Sequence, residues 1–532
     1  MPPRIANLMV VSIFNDVIGP VMRGASSSHC AAALRIGRIA RDLVGGTPES
    51  VLVEFDRNGS LPTTHDTQGS DMGLFGGLMG WDAADEKLPD SMRILQALGT
   101  DIQIVTVDAG DPHPNTYRLT VAKGQESHFL KAISTGGGII EVIEIDGFPV
   151  SIFGDYFETL IFAPSFESVA VSKLAVDSGA DQIKVYEANG VSLLHLKGQQ
   201  FLADELAATL EFSSIKFLAP VLPVHSSKST TVPFSSCASM LEFDGGSNIP
   251  LWRLAVEYEA ARGNLSDDEV LTKMVEIVRI LRNSIAQGLA GTEYDDRVLG
   301  FQSGGFQKLM LENRLLSAGA LNRIILYVTA LMEVKSSMGV IVAMPTAGAC
   351  AALPGAVIGM AEEMGLDEED MARAILASGL IGVFIATAWT FAAEVGGCQA
   401  EGGSAAAMAA GALVTLAGGT LEQAVGAASM ALQSMIGLIC DPIASRVEAP
   451  CLGKNVMAAA NALSCANMAL AGFDQVIPLD EVIETAKRVA RQMPRELRCT
   501  ALGGLSITPT ALAIEKRLTL KKACGGGSCS CG

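Results

Sequence analysis

The feature that most restricts the fold of this chain is a set of five uncharged stretches in its second half, residues 336–361, 374–393, 402–421, 423–440 and 456–473. Each has the length of a bilayer-crossing helix, roughly 20 residues. Each must therefore be buried, in lipid or in protein, and composition decides between the two. The stretches are mostly Ala and Gly with Ser, Thr and Met, and Pro345 and Pro354 interrupt the first. Transfer of such residues into lipid is worth little. The connecting segments "EEMGLDEED" and "LDEVIE" are acidic and carry no Lys/Arg bias to orient spans. The pattern predicts closely packed core helices of a soluble protein.

A chain of 532 residues exceeds a single core and is expected to form about two to four domains. Its formal net charge of -19 repels phosphate backbones and anionic lipid, which excludes nucleic-acid and membrane-surface partners. Eleven cysteines are an odd number, and the opening "MPPRIANLMVVSIF" lacks a basic segment and a small-residue cleavage site. Reduced thiols in the cytoplasm are expected, some free to bind a metal.

Apolar runs such as "VLVEF", "IQIVTV" and "IIEVIEI" alternate with helical stretches, predicting an α/β domain over residues 1–155. A small α+β unit follows at 156–203: strand, helix, strand, an Asn189-Gly190 turn, strand. That order is half of a ferredoxin-like module. Residues 204–249 are polar and irregular and read as a linker. Residues 250–515 read as mainly helical, and 516–532, ending "CGGGSCSCG", as a flexible tail.

Three constellations carry chemistry. "GASSSHC" (24–30) sets Ser26, Ser27, Ser28 and His29 before a helix. The pattern leaves two readings open: a hydroxyl-rich helix cap, or an anion site made by hydroxyls and helix N–H groups. In "STGGGII" (134–140), Gly136, Gly137 and Gly138 form either a strand-end turn or a backbone cradle for an anion. Cys398, Cys440 and Cys451 match no compact zinc spacing, and periodicity alone leaves them as core thiols. Their places at the ends of uncharged stretches, flanked by Glu394, Glu401, Asp441 and Glu448, suit a buried polar site. Thiolates are the usual ligands of iron–sulfur clusters.

These residues resemble the iron–sulfur L-serine dehydratases (L-serine ammonia-lyases), with the family's β and α regions fused in one chain. "DVIGPVMRGASSSHCAAALRIGRIAR" is similar to the β-region opening, and "HPNTYRLT" (113–120), "STGGGIIEVIEIDGF" (134–148) and "GDY" (154–156) follow in family order. In the α region, "SSMGVIVAMPTAGACAALPG", "GGCQAE", "GLICDPIASRVEAPC" and "LGGLSITPT" do the same. The resemblance implies an N-terminal α/β substrate-binding domain, an ACT-type module at 156–203 and a helical, cluster-binding catalytic domain, in a cytoplasmic homodimer. It implies a [4Fe-4S] cluster on Cys398, Cys440 and Cys451, with Cys524, Cys529 or Cys531 as a possible fourth ligand. The substrate implied is a small hydroxy amino acid, dehydrated at the open iron. Ser26, Ser27, Ser28, His29, His113, Asn115, Gly136, Gly137, Gly138, Thr346 and Arg446 would bind it. His29, Ser27, Ser28, His65 and Lys335 are the implied catalytic candidates.

The chain also departs from the family pattern. GHGTD is here "TQGSD" (67–71), so Gln68 replaces a histidine and His65 stands three residues earlier. Phe306 in "SGGFQ" replaces an acid, while Lys335, Arg446 and Arg23 bring cations to neutral positions. Three added cations make a substrate with a second carboxylate, or a bulkier end, an alternative to L-serine. A catalytically silent amino-acid or iron sensor is the other.

Overall fold

The computed structural model describes residues 10–24, 26, 27, 29–66, 68–188 and 190–525, with side chains as far as Thr519. It divides into two compact units, one of Met1–Ala25 with Thr231–Gly532 and the other of Ser26–Thr230.

The first unit is helical. Helix Ser404–Leu416 lies at its centre and packs on Ala352–Met364, Glu368–Ala388, Leu421–Gln433 and Cys451–Leu470. Its Ala405–Ala410 run is fully buried. Side chains this small let neighbouring helix backbones approach closely, which is why the uncharged stretches lie in a protein core. Glu368–Ala388 is the one helix among the described residues long and apolar enough to cross a membrane, and 78% of its most apolar window is buried in the protein. Its start is fixed by Asp367, whose carboxylate accepts from the Glu369 and Asp370 amides at 2.9 and 3.0 Å. Acidic residues in that first turn favour the helix dipole.

Residues 10–24 join this unit. The Ser12 hydroxyl and the Ile13 amide donate to the buried Glu259 carboxylate at 2.5 and 2.7 Å. Strand Val21–Arg23 pairs antiparallel with Val340–Val342.

The second unit holds two sheets. The larger has the order Asp101–Val107, Ser50–Asp56, Thr116–Lys123, Glu126–Gly136, Ile139–Ile145, with the first pair parallel and the rest antiparallel. Val51, Val53 and Phe55 alternate inward and pack with Tyr117, Leu119 and Val121 against helix Cys30–Leu43. That helix meets Ser70–Leu78 backbone to backbone: a Cβ at Gly73 would stand 2.2 Å from the Cys30 carbonyl oxygen. A methyl group there has nowhere to go. Gly73→Ala is expected to cost about 1–3 kcal/mol, read as a lower urea midpoint; an unchanged midpoint would contradict backbone contact.

The smaller sheet has the order Ser214–Leu218, Phe157–Ala163, Val191–Gly198, Gln182–Ala188, all antiparallel. With helices Ser168–Asp177 and Asp204–Ala207 the chain runs β-α-β-β-α-β, the ferredoxin-like order. The stretch read as a linker, 204–249, supplies the second helix and the edge strand of this module, and further on the helix Cys237–Asp244. The edge strand "SIKFL" is five residues long with Lys216 inside it, too short for its alternation to stand out. Asn189 of the expected turn lies outside the described residues, although the flanking strands pair across it. The tail expected to be flexible from 516 begins inside helix Pro509–Gly525.

Candidate functional site

In the helical unit, three separate segments bring thiols together. Cys398 follows Gly397, whose φ of 71° turns the chain out of helix Ala393–Gly396. It opens a π-helical turn, Gln399–Gly403, that continues into helix Ser404–Leu416. Such irregular turns recur at functional sites. Cys440 lies on an extended segment bridged to Arg498, and Cys451 starts helix Cys451–Leu470. The three cysteines are only 5%, 3% and 6% exposed. Ligand atoms of Cys398, Glu401 and Cys440 lie within 4.8 Å of one another. Donation from the Cys440 thiol to Cys398 and Cys499, reinforced by burial, holds it far above the ordinary cysteine range. Burial, opposed by Lys335 and aided by the charges of Cys398 and Glu401, pushes Cys451 up to about 12. Burial thus favours the protonated thiols of Cys440 and Cys451, and a cation bound there would replace those protons.

Charged groups surround the thiols, which is not how packing cysteines are housed. Lys454 Nζ stands 3.6 Å from Cys398 Sγ and donates to the Ile439 carbonyl and Asp441 carboxylate, both at 2.7 Å. Burial works against this ammonium, yet Cys398 and Asp441 hold its pKa above the ordinary lysine value. Asp441 is itself fixed by the Leu505 amide at 2.9 Å. The Glu401 carboxyl accepts from the Thr346 hydroxyl at 2.8 Å, and burial raises its pKa to about 7 despite that bond. Asn455 ties two segments together, donating to the Gly348 and Cys451 carbonyls at 2.8 and 2.9 Å. Gln399 is fully buried, and its Oε1 accepts from the Gly437 amide at 2.8 Å. Its Nε2 has no hydrogen-bond partner among the described residues. An orphaned amide beside Cys398 marks a place where an acceptor is expected.

The added cations are already answered within the protein. Arg446 lies 2.6 Å from both carboxylate oxygens of Asp296. Lys335 is fully buried, donates to the Val447 carbonyl, and acts on Glu401, Glu448 and Cys451. Arg23 reaches the Met338 carbonyl at 3.4 Å. A second substrate carboxylate is therefore not favoured as the partner of Arg446, whose charge is matched by Asp296; Lys335 acts on the Glu401 and Glu448 carboxyls, which burial nonetheless raises.

In the other unit, the serine motif, His29 and the "HPN" loop form one hydrogen-bond network, and His65 adjoins it in sequence. Thr64 donates its hydroxyl proton to the Ser60 carbonyl at 2.7 Å, so its oxygen accepts from His29 Nε2 at 3.0 Å. That leaves His29 Nδ1 to accept from the Ser26 hydroxyl at 2.8 Å. Burial lowers the His29 pKa to about 4, so the ring is neutral at pH 7. His65, next to Thr64, has both Asp71 carboxylate oxygens 2.8 Å from its Nδ1, and this hydrogen bond raises its pKa. His65 thus sits on the aspartate of the altered "TQGSD" motif. Ser60 also donates to Asn115 Oδ1, and the Asn115 amide donates to His113 Nδ1 at 3.2 Å. The Asn115 carbonyl accepts from the Ser134 amide at 3.0 Å. Gly136, Gly137 and Gly138 form the turn between two strands, all with positive φ, and Arg35 donates to the Gly138 carbonyl at 2.5 Å. Ser27 is buried at the start of helix Cys30–Leu43, while Ser28 lies outside the described residues. So do the Cys524 side chain, Cys529 and Cys531.

Cys499 is the residue that sequence reasoning passed over. It packs against Cys398 and Cys440, and its place beside the motif "LGGLSITPT" was the only signal available.

Comparison with known proteins places the chain among L-serine dehydratases. The family model described as serine dehydratase alpha chain matches residues 246–506. "Probable L-serine dehydratase, alpha chain" of Bacillus subtilis is 33% identical over 285 residues, 54% of this chain and 95% of that one. The corresponding "beta chain" of the same organism is 35% identical over 201 residues, 37% of this chain and 90% of that one. "L-serine dehydratase 2" of Escherichia coli is 27% identical over 516 residues, 94% of this chain and 98% of that one.

Proposed function

We propose, because this chain belongs to the serine dehydratase family, that it is a lyase which converts L-serine to pyruvate and ammonia. The observation that carries the reading is the meeting of Cys398, Cys440 and Glu401 within 4.8 Å, with Lys454 beside them. The donor set fits an iron–sulfur cluster: soft thiols from three segments, an ammonium beside them and an amide donor left unpaired at Gln399. Cys398, Cys440 and Cys451 would hold a [4Fe-4S] cluster. When bound, it supplies Lewis acidity that eases departure of the substrate hydroxyl.

The protein's own groups do the rest. Lys454 offsets thiolate charge at Cys398 and keeps that side chain in place. Glu401, held by Thr346 and with a pKa near 7, takes up or releases a proton close to neutrality, as a general acid–base group must. Lys335 keeps the buried carboxylates Glu401 and Glu448 compensated. His29 is held neutral, with its Nε2 proton committed to Thr64, and offers Nδ1 as the basic nitrogen once Ser26 turns away. Ser26, Ser27, Ser28 and the Gly136–Gly138 turn would take the carboxylate, with His113, Asn115 and His65 supporting them. Loss of water from serine leaves an enamine, which becomes an imine and hydrolyses to pyruvate and ammonia. A cytoplasmic homodimer, with an ACT-type role for the four-stranded module, belongs to the same reading.

Because Asp296 already pairs with Arg446, L-serine is favoured over a dicarboxylic analogue. Anaerobically reconstituted protein is expected to turn over L-serine well ahead of 3-hydroxyaspartate, measured as 2-oxo acid formed. Preference for the dicarboxylate would overturn this assignment.

A further inference from the structure

We propose that Cys440 and Cys499 are a redox pair, which a low-molecular-weight disulfide closes into an intrachain disulfide when the thiol site holds no metal. Three observations place the two thiols together. Their backbones form a parallel bridge, with the Cys440 amide donating to the Leu497 carbonyl at 2.9 Å and the Cys499 amide to the Cys440 carbonyl at 3.0 Å. Paired backbones run about 4.8 Å apart, so a residue one step from the bridged one falls within the roughly 4.4–6.8 Å Cα separation of disulfides. Regular extended backbone would then turn the Cys499 side chain to the opposite face from that of Arg498. Instead Cys499 has φ 59°, a left-handed conformation that side-chain-bearing residues adopt rarely. With that twist its side chain packs against Cys398 and Cys440.

The two thiols differ in access. Cys499 is half-buried whereas Cys440 is buried, so a soluble oxidant meets Cys499 first. Its thiolate attacks the small disulfide RSSR, forming a Cys499–SR mixed disulfide and releasing one RS⁻. With Cys499 tied up in the mixed disulfide and no longer raising Cys440, the Cys440 thiol gives its proton to solvent and its sulfur attacks the Cys499 sulfur, forming the Cys440–Cys499 bond and releasing the second RS⁻. The protein thiols lose two protons and two electrons, and RSSR gains the electrons. Closure withholds Cys440 from metal until a reductant reopens it. The consequence for metal loading rests on the proposed role of Cys440, but the cross-link does not.

The test uses the full chain, stripped of metal by chelation and exposed to oxidised glutathione under mildly alkaline conditions. Non-reducing digestion and mass spectrometry are expected to find the Cys440 and Cys499 peptides joined. A second arm follows iron uptake with ferrous ion and sulfide. Oxidised wild type should lose uptake until dithiothreitol is added, whereas Cys499→Ser treated identically should load without it. Thiols that stay reduced, or a dominant Cys398–Cys440 link, would overturn the proposal. If the cross-link forms but reduced wild type takes up no iron, the pair stands and the metal reading fails.

Discussion

Cys398→Ala is expected to remove bound iron and, with it, L-serine turnover, while Cys465→Ala retains both. The two residues make a controlled comparison. Each is a buried cysteine of the helical unit, 5% and 4% exposed, so each substitution deletes one sulfur from a packed interior. Their surroundings differ. The Cys465 thiol donates to Asn461 Oδ1 at 3.5 Å, one turn back on its own helix, with the Ser434 hydroxyl as a further neutral neighbour. Cys398 has the Lys454 ammonium, the Cys440 thiol and Glu401 around it. A residue supporting a metal ligand from outside is worth roughly 10–100-fold in affinity or activity, and removal of a ligand is expected to exceed that. Iron content by colorimetric assay and pyruvate release are the two readouts. Equal iron in both variants would return Cys398 to an ordinary core thiol.

Acidification should loosen the second unit through His29. Its pKa in the folded protein is about 4, against 6.5 in a solvated chain. Above pH 6.5 the ring is neutral folded and unfolded, and the group has no effect on stability. As pH falls below 6.5 the unfolded chain takes a proton that the folded one refuses, so stability falls until the pH drops below about 4, where both are protonated. The loss amounts to about 3 kcal/mol. His65 has the opposite sign, since Asp71 raises its pKa and its contribution is lost as pH rises. Hydrogen exchange of the Cys30–Leu43 amides, compared between wild type and His29→Gln, isolates the His29 effect. Wild type should lose protection more steeply between pH 6.5 and pH 4. Parallel profiles would show that the ring is not held neutral.

The uncharged stretches announced core helices because a residue set without charge over such lengths has to be buried, and Ala405–Ala410 is buried throughout. Cys398, Cys440 and Cys451 were singled out by resemblance rather than by spacing; the fold brings Cys398 and Cys440 together with Glu401 from segments far apart in sequence. What was not legible depends on tertiary partners. Arg446 reads as a free cation in sequence, but its partner Asp296 lies 150 residues away. Cys499 gains its position from a bridge to Cys440 and from a left-handed backbone, neither of which leaves a periodic trace. The strand Ser214–Leu218 was hidden by its shortness and by Lys216, which folds onto Glu126 at 2.5 Å. His65 stands three residues before Gln68 in sequence, and its contact with Asp71 depends on how the chain turns between them.

The central claim is that the Cys398, Cys440 and Cys451 thiols hold an iron–sulfur cluster that serves L-serine dehydration. Iron, acid-labile sulfide and pyruvate formation, measured together on anaerobically prepared protein across a series of partial metal loadings, test it most directly. About four iron and four sulfide per chain are expected at full loading, with L-serine turnover rising in proportion to both. Undiminished pyruvate formation by the metal-free protein, or iron bound without sulfide, would contradict it.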